Sequence, residues 1–524
     1  DGLEPYGTLI DVSEGEDFRV QLPGLGLDYD SNPRDRELAR PFDRDLEEVP
    51  ALPETDEKLF QAKELMKARY YREAKDLFEE VQEAEPSNRN SLLGLAELAY
   101  RNGDANGTLS WARRAIQLDA YDPKANFLFG LAHKASPNAG SLFLQNARDA
   151  FGWATRSTTY RSAANVELAE IMIREEDWEE AERYARLAID FDRYSIPGWR
   201  ALAVVGRKAG RRDLAEEALG ELLAVDPLHH FALAERYLGA AEDAGDRGVA
   251  DPRVGGAAEA FSESLGGEFP DQTLLEITIY YFSLELQADA LEILTRFEKA
   301  KPRPPIHQAW VYWLLEAAGS GQEDLSVLAN PADPAFQFPF RHESHGPLSN
   351  ASGKADHWVW TYLHSLLNWD SDQDAVATNH FEAPGSSPEF APYYVSRAHL
   401  LSRTRNENPE LDLRKAVQLE PDNRIFHIYL IQHLESQGEW NAALTALADA
   451  KRRFPEDFNL DLLQAKALIN LGRGSEAAEI LGGTHVLPSE NARESHQLWV
   501  QAHTLAALDA FDCLLYTSDA ADDY

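Results

Sequence analysis

The 524-residue chain has a single cysteine, Cys513, and it stands in the closing stretch FDCLLYTSDAADDY. Disulfide frameworks, thiolate nucleophiles and Cys-ligated metals are therefore excluded from everything upstream. No apolar run reaches eighteen residues, so no membrane-spanning helix is expected. Positive charge is in deficit: 50 Lys and Arg stand against 89 Asp and Glu, a net charge of -39. Nucleic acid and anionic membrane surfaces both need a basic footprint, so neither is an expected partner. The charge reads first as solubility, and second as an acidic face for a neutral or basic protein or peptide. A G-x-x-x-x-G-K loop, a G-x-S-x-G elbow and a G-x-G-x-x-G turn are also missing. No phosphate cradle, serine nucleophile or cofactor is signalled.

What is present is a repeat. A small or aliphatic residue, an Ala twelve positions on and a Pro twelve further recur as Ala62, Ala74 and Pro86. They return as Ala203, Ala215 and Pro227, and as Ile431, Ala443 and Pro455. Ala181 to Ala215, Ala443 to Ala477 and Pro421 to Pro455 are each one period of 34. Two helix backbones close to about 8 Å only if the side chain between them is small, and a Pro cannot continue the helix it follows. The period resembles the tetratricopeptide repeat. The resemblance implies an all-α solenoid of about ten helix pairs, with inner helices lining a groove, that binds protein and carries out no chemistry. Such an array is soluble, and a cytoplasmic location is expected over a periplasmic or secreted one.

Residues 1–54 do not fit the repeat. Residues 8–12 and 17–22 alternate like short strands around Glu14-Gly15. Residues 28–53 are charged, Pro-punctuated and poor in aliphatics, which reads as a tether. The expectation is a remnant of an upstream β domain, a first repeat array over 55–329, an irregular joint over 330–356 and a second array with a capping helix over 357–510. The last stretch, 511–524, resembles a translated sequencing adapter and is expected not to be native. The chain begins at Asp1 without Met and reads as a fragment.

Several segments resemble one family of large bacterial proteins. They are DAFGWATRSTTYRSAANVELAEI (149–171), FQFPFRHES (336–344), PEFAPYYVSRA (388–398), FPEDFNLDLLQAKAL (454–468) and LPSENARESHQLW (487–499). Members of that family join a galactose-mutarotase-like β-sandwich region of unknown function to a C-terminal repeat array. The resemblance spans roughly 55–510 and implies that this chain is the repeat half. The sandwich implies carbohydrate recognition, but that half is not in this sequence, so no sugar site is carried over. After FPFR the chain reads HESHGPLSN, where the family continues with an acidic, helix-forming segment.

Candidate chemistry is sparse. His342, Glu343 and His345 read H-E-x-H, one residue short of the spacing that puts two His on one helix face. They read as a polar loop, and His229-His230 as an exposed turn. Asp370, Asp372 and Asp374 start like a calcium loop, but Ala375 and Phe381 stand where Gly and Glu are needed. Those Asp read as caps of the next helix. No metal site is expected. The aromatic residues carry more weight, because Trp310 and Trp313, then Trp358 and Trp360, crowd around the joint. Residues two apart lie about 200° round a helix, so Trp358 and Trp360 cannot share one narrow stripe. With Arg341, these four rings are the expected partner-binding residues, with cementing of the joint as the alternative role. The rival function is a repeat module that helps a sandwich domain bind or process carbohydrate.

Overall fold

The computed structural model describes residues 19–22, 27–30 and 53–519, apart from 136–140, 246–249, 268, 320–324, 372, 382–387, 406 and 487–491. The chain divides into two compact units, 1–86 and 87–524. In the first, strands β1 (Arg19–Leu22) and β2 (Leu27–Asp30) pair antiparallel, with Arg19 opposite Asp30 and Leu22 opposite Leu27. β1 lies inside the expected 17–22 strand, whereas the expected 8–12 strand lies outside the described residues. β2 overlaps the start of the stretch read as tether. Its LDYD alternation was too short, beside so many charges, to stand out as a strand. The same unit holds α1 (Glu54–Lys67) and α2 (Tyr71–Ala84), which bury Ala62 against Ala74, Phe78 and Val81.

The second unit is helical throughout its described residues. It runs α3 (Arg89–Arg101), α4 (Ala105–Leu118), α5 (Pro123–Ala135), α6 (Ser141–Ala154), α7 (Arg161–Arg174) and α8 (Trp178–Phe191). Then come α9 (Ile196–Lys208), α10 (Arg212–Val225), α11 (His230–Ala244), α12 (Pro252–Ser264), α13 (Pro270–Ser283) and α14 (Gln287–Phe297). In each pair the odd helix packs on the even one that follows, and most pairs also pack on the next. This is the helix-pair architecture of a tetratricopeptide-like α-solenoid.

Three local devices repeat. Pro86, Pro227, Pro421 and Pro455 each stand two residues past a helix end, and the residue before each has left the helical region, with ψ positive. A following Pro disfavours the α conformation there. Between the two helices of a pair, one residue sits at positive φ: Arg69, Gly103, Glu176, Gly210, Glu285, Gly438 or Gly472. Arg69 to Gly103, Glu176 to Gly210 and Gly438 to Gly472 are each 34 residues. The third device is close approach. A side chain on Gly206 of α9 would lie 2.8 Å from the Ala215 Cα on α10, and one on Gly130 of α5 would strike the Phe151 ring. Ala215 is therefore at the expected helix crossing, although it is half-buried rather than buried. Gly206→Val should cost about 1–3 kcal/mol by overpacking, because the obstacle is backbone that cannot rotate away. A urea melt with an unshifted midpoint would show that the two helices can separate freely.

The regular alternation stops at α15 (Pro305–Ala317), followed by one short turn, α16 (Ser326–Ala329). Residues 330–341 carry no helix, then a 3-10 turn (His342–Ser344) leads into α17 (His345–Lys354), which packs on α15 as its partner. The joint is thus narrower than expected. Pro347 in the first turn and the apolar pair Leu348 and Ala351 are enough to start a helix there. Alternation resumes with α18 (Trp358–Asp370), α19 (Asp374–Phe381), α20 (Ala391–Arg405), α21 (Glu410–Leu419), α22 (Arg424–Ser436) and α23 (Trp440–Arg453). It closes with α24 (Phe458–Asn470), α25 (Gly474–Gly483) and α26 (Ala492–Asp519), and α26 packs on both α24 and α25. The helix therefore runs past residue 510, where the array was expected to end.

The core is a string of clusters. One runs from Leu144 on α6 to Leu314 on α15, and a second from Ala309 on α15 to Phe426 on α22. α15 belongs to both: Trp310, Val311 and Leu314 face the first, while Ala309 and Tyr312 face the second. A helix buried nearly all round is mostly apolar, and the buried polar residues of this one, His307 and Gln308, have hydrogen-bond partners in Glu298 and the Ala332 amide.

Candidate interaction site at the repeat break

The aromatic residues of α15 and α18 divide by burial. Trp310 and Trp360 are 0% exposed. The Trp310 indole N–H donates to Ser344 Oγ at 3.0 Å, and the ring meets Phe282 edge-on. The Trp360 indole N–H donates to the Leu328 carbonyl at 3.0 Å. Neither ring offers surface to a partner, which corrects the expectation for these two: α15 is shared by two clusters and has no free face for Trp310, and Trp360 lies on the inner face of α18, within the second cluster. Trp313 and Trp358 are half-buried. Trp313 covers Gly346 at the start of α17, and Trp358 lies against Phe390 and Tyr393 at the start of α20. The four rings do not form one surface. Arg341 is half-buried and paired with Glu276 of α13 at 3.0 Å and with Glu343 at 3.1 Å.

The exposed rings of this region are phenylalanines. Phe336 is 90% exposed, Phe338 68% and Phe340 49%. The segment between them is irregular, and Pro334 and Pro339 are buried beneath it. Phe336, Phe338 and Phe340 are thus left outside while Pro334 and Pro339 are buried, so the prolines anchor the segment and the rings stay exposed. A tight turn leads in. Asp333 accepts from the Ala335 amide at 2.9 Å, and the Gln337 amide donates to the Pro334 carbonyl at 3.0 Å. Phe336 has φ +60°, an outlier for a bulky residue that the surrounding turn must hold. These three residues went unnamed at the sequence level, though the period-2 spacing of FQFPF between two prolines was the available signal.

A second concentration of polar groups lies between α9, α11, α13 and α14. Arg207 donates to Glu235 at 2.6 and 3.2 Å and to Asp289 at 2.9 Å, and all three are buried. The Tyr281 hydroxyl donates to Glu235 at 2.5 Å, and Lys208 joins Asp289 at 2.8 Å. Burial, then the Glu235 charge, push the Tyr281 hydroxyl well above the usual phenol range. Nearby on α5 and α7, Lys134 reaches Glu167 at 2.6 Å and also contacts Glu170. These charges satisfy one another, and no acid–base pair is left facing a cavity among them.

His229 caps α11, accepting from the Ala232 amide at 3.2 Å. Asp374 opens α19 and pairs with Arg403 at 2.5 Å; the side chain of Asp372 lies outside the described residues. Among the described residues, no group of three or more His, Cys, Asp or Glu side chains is arranged to hold a metal ion. None of the described helices is long and apolar enough to cross a membrane.

A family model described as "Tetratricopeptide repeat" matches residues 61–123 and 430–482. No curated protein sequence matches the chain. Among solved structures, PilW, titled a widely conserved type IV pilus biogenesis factor, is 19% identical with a TM-score of 0.34, over 45% of this chain and 98% of that one. Naa15/Naa10 bound to HypK-THB is 14% identical with a TM-score of 0.27, over 86% of this chain and 73% of that one. The APC/C hetero-tetramer Cut9-Hcn1 is 12% identical with a TM-score of 0.26, over 86% and 97%.

Proposed function

We propose that the chain is a non-catalytic protein-interaction scaffold whose partner contact is the exposed aromatic segment 336–341. The repeat fold is consistent with a scaffold, and the observation that selects the segment is the exposure of Phe336, Phe338 and Phe340 within five residues. Single exposed apolar residues are ordinary, but three rings so close in the chain form apolar surface that a partner can cover. Two buried prolines hold the backbone, so little ordering is left to oppose binding. Arg341 adds a guanidinium already held by two carboxylates, which orients it beside Phe340. Of the residues expected from sequence, Trp313 and Trp358 remain partial contributors. The net charge of -39 favours a neutral or basic partner.

A photo-crosslinking phenylalanine analogue at position 338 tests the reading, with the same analogue at exposed Tyr194 as control. Position 338 should capture a defined protein from a bacterial lysate, and position 194 should not. With the analogue kept at 338, Phe336→Ser with Phe340→Ser should abolish the capture. An anchoring Phe is worth about 2 kcal/mol, roughly thirtyfold in affinity. The melt should move by no more than about 0.5 kcal/mol, as for other surface changes. Equal capture at both positions, or capture that survives the double substitution, counts against the segment as the contact.

A further inference from the structure

The turn that opens α17 reaches back across most of the stack. His342 Nε2 contacts the Arg101 carbonyl at the end of α3, across 241 residues of sequence. A carbonyl only accepts, so the imidazole is the donor. Gly103, in the turn after α3, lies directly against the His342 ring: a side-chain carbon added there would stand 2.8 Å from Nδ1. The turn is not free to follow α3, because it is seated elsewhere as well. Arg341 pairs with Glu276 of α13 at 3.0 Å. Ser344, wholly buried, accepts from the Trp310 indole of α15 at 3.0 Å. Ser371 Oγ, just past the end of α18, lies 3.4 Å from His342 Nδ1. Through one imidazole, α3 is therefore joined to a body made of α13, α15 and α18.

A second contact crosses the stack in the same way. Arg174, the last residue of α7, donates to Glu285 in the turn after α13 at 3.0 and 2.6 Å. It also donates to the Lys134 carbonyl of α5 at 3.4 Å. Arg174 thus holds α5 and α7 to α13, as His342 holds α3 to the joint. A stack of helix pairs is otherwise kept together by neighbour interfaces, and small rotations at each of them add up along its length. A contact between distant members cancels that sum. We propose that His342 closes α3 to α17 into a ring, and that this closure sets how far α3 and α4 stand from α17. It consists of one hydrogen bond and one ring face, so it can open while every helix pair stays packed.

The exposed phenylalanines hang from the point of closure. One end of their segment is fixed by Arg341, next to His342. The other is fixed by the Ala332 amide, which donates to Gln308 of α15 at 3.4 Å. Opening the ring removes one hold on the turn that carries Arg341. Binding at Phe336, Phe338 and Phe340 and closure of the ring are then linked, and each biases the other to the same degree. That linkage rests on the partner reading above, whereas the closure itself does not.

Double electron–electron resonance on the full chain tests the closure without any partner. Cys513, the only cysteine, is changed to Ser, and spin labels are placed on cysteines at exposed Asn106 of α4 and Gly353 of α17, one on each side of the contact. A second pair, at exposed Glu179 of α8 and Thr295 of α14, spans the part that Arg174 holds. His342→Ala and Gly103→Asn break the contact from opposite sides, and Asn tolerates the φ of +70° at position 103. With His342 and Gly103 intact, the 106–353 distance should form a single narrow peak. Either substitution should broaden that peak and shift it to longer distances, and both together should do no more than one alone. The 179–295 distance should stay where it is. Circular dichroism checks that each variant is folded, and Gly103→Asn keeps the test decisive if His342→Ala is not. The closure is overturned if a folded variant leaves the 106–353 peak unmoved, if 179–295 shifts in step with it, or if the two substitutions add.

Discussion

Trp360→Ala is expected to destabilise the chain by about 3–5 kcal/mol, the range for removing a fully buried aromatic ring. The ring is wholly enclosed, and its N–H is the partner of the Leu328 carbonyl, so the change opens a cavity and leaves a buried acceptor unpaired. Trp358→Ala, two residues away, should cost clearly less, about 1–2 kcal/mol, because part of that side chain already faces water. Urea denaturation followed by circular dichroism separates the two. Equal losses would mean that Trp358 closes the joint as firmly as Trp360 does. If Trp360→Ala left the midpoint in place, α18 would not be packed as described.

Glu235→Ala should be comparably damaging, at about 3–5 kcal/mol, for a different reason. Arg207 is buried, and its other carboxylates, Asp289 and Glu242, are both shared with Lys208. Removing Glu235 leaves a guanidinium in a low-dielectric site without its most buried partner, and strands the Tyr281 hydroxyl beside it. Breaking a buried pair costs far more than the pair itself contributes. Replacing both members should therefore undo much of the damage: Arg207→Met with Glu235→Leu is expected to recover most of the lost stability. A double variant as unstable as Glu235→Ala alone would show that the ions, rather than their mutual satisfaction, hold α9 to α11.

How much of this could be read beforehand depended on the range of the forces involved. The helix pairs were legible because their determinants are local: Ala203 and Ala215 lie twelve residues apart, and Pro227 stops a helix where it stands. The left-handed turn residue was visible too, since Gly103, Gly210, Gly438 and Gly472 occupy equivalent positions. β2 was not, because a strand of four residues owes its existence to a partner, not to its own pattern. At the joint, the region was legible and the residues were not. Trp310 looked surplus because one helix offers one core-facing stripe, whereas α15 serves two cores; of the pair Trp358 and Trp360, the spacing could not say which ring faces inward. The phenylalanines were read only as part of an irregular joint, because nothing in FQFPF says that Pro334 and Pro339 will be buried and the rings left out. The contacts among Arg101, His342, His345, His364 and Ser371 follow no spacing rule for a sequence to display.

The bond between His342 and Arg101 spans 241 residues in a protein whose other contacts are mostly between adjacent helices. Closing so long a loop in a flexible chain would carry a heavy entropic penalty. The intervening helices are held by contacts near in sequence, so they bring the two ends together already placed. Such a contact has the character of a clasp, one that closes a structure held by other means. Because the helix pairs pack without it, parting it would leave those near-neighbour contacts in place.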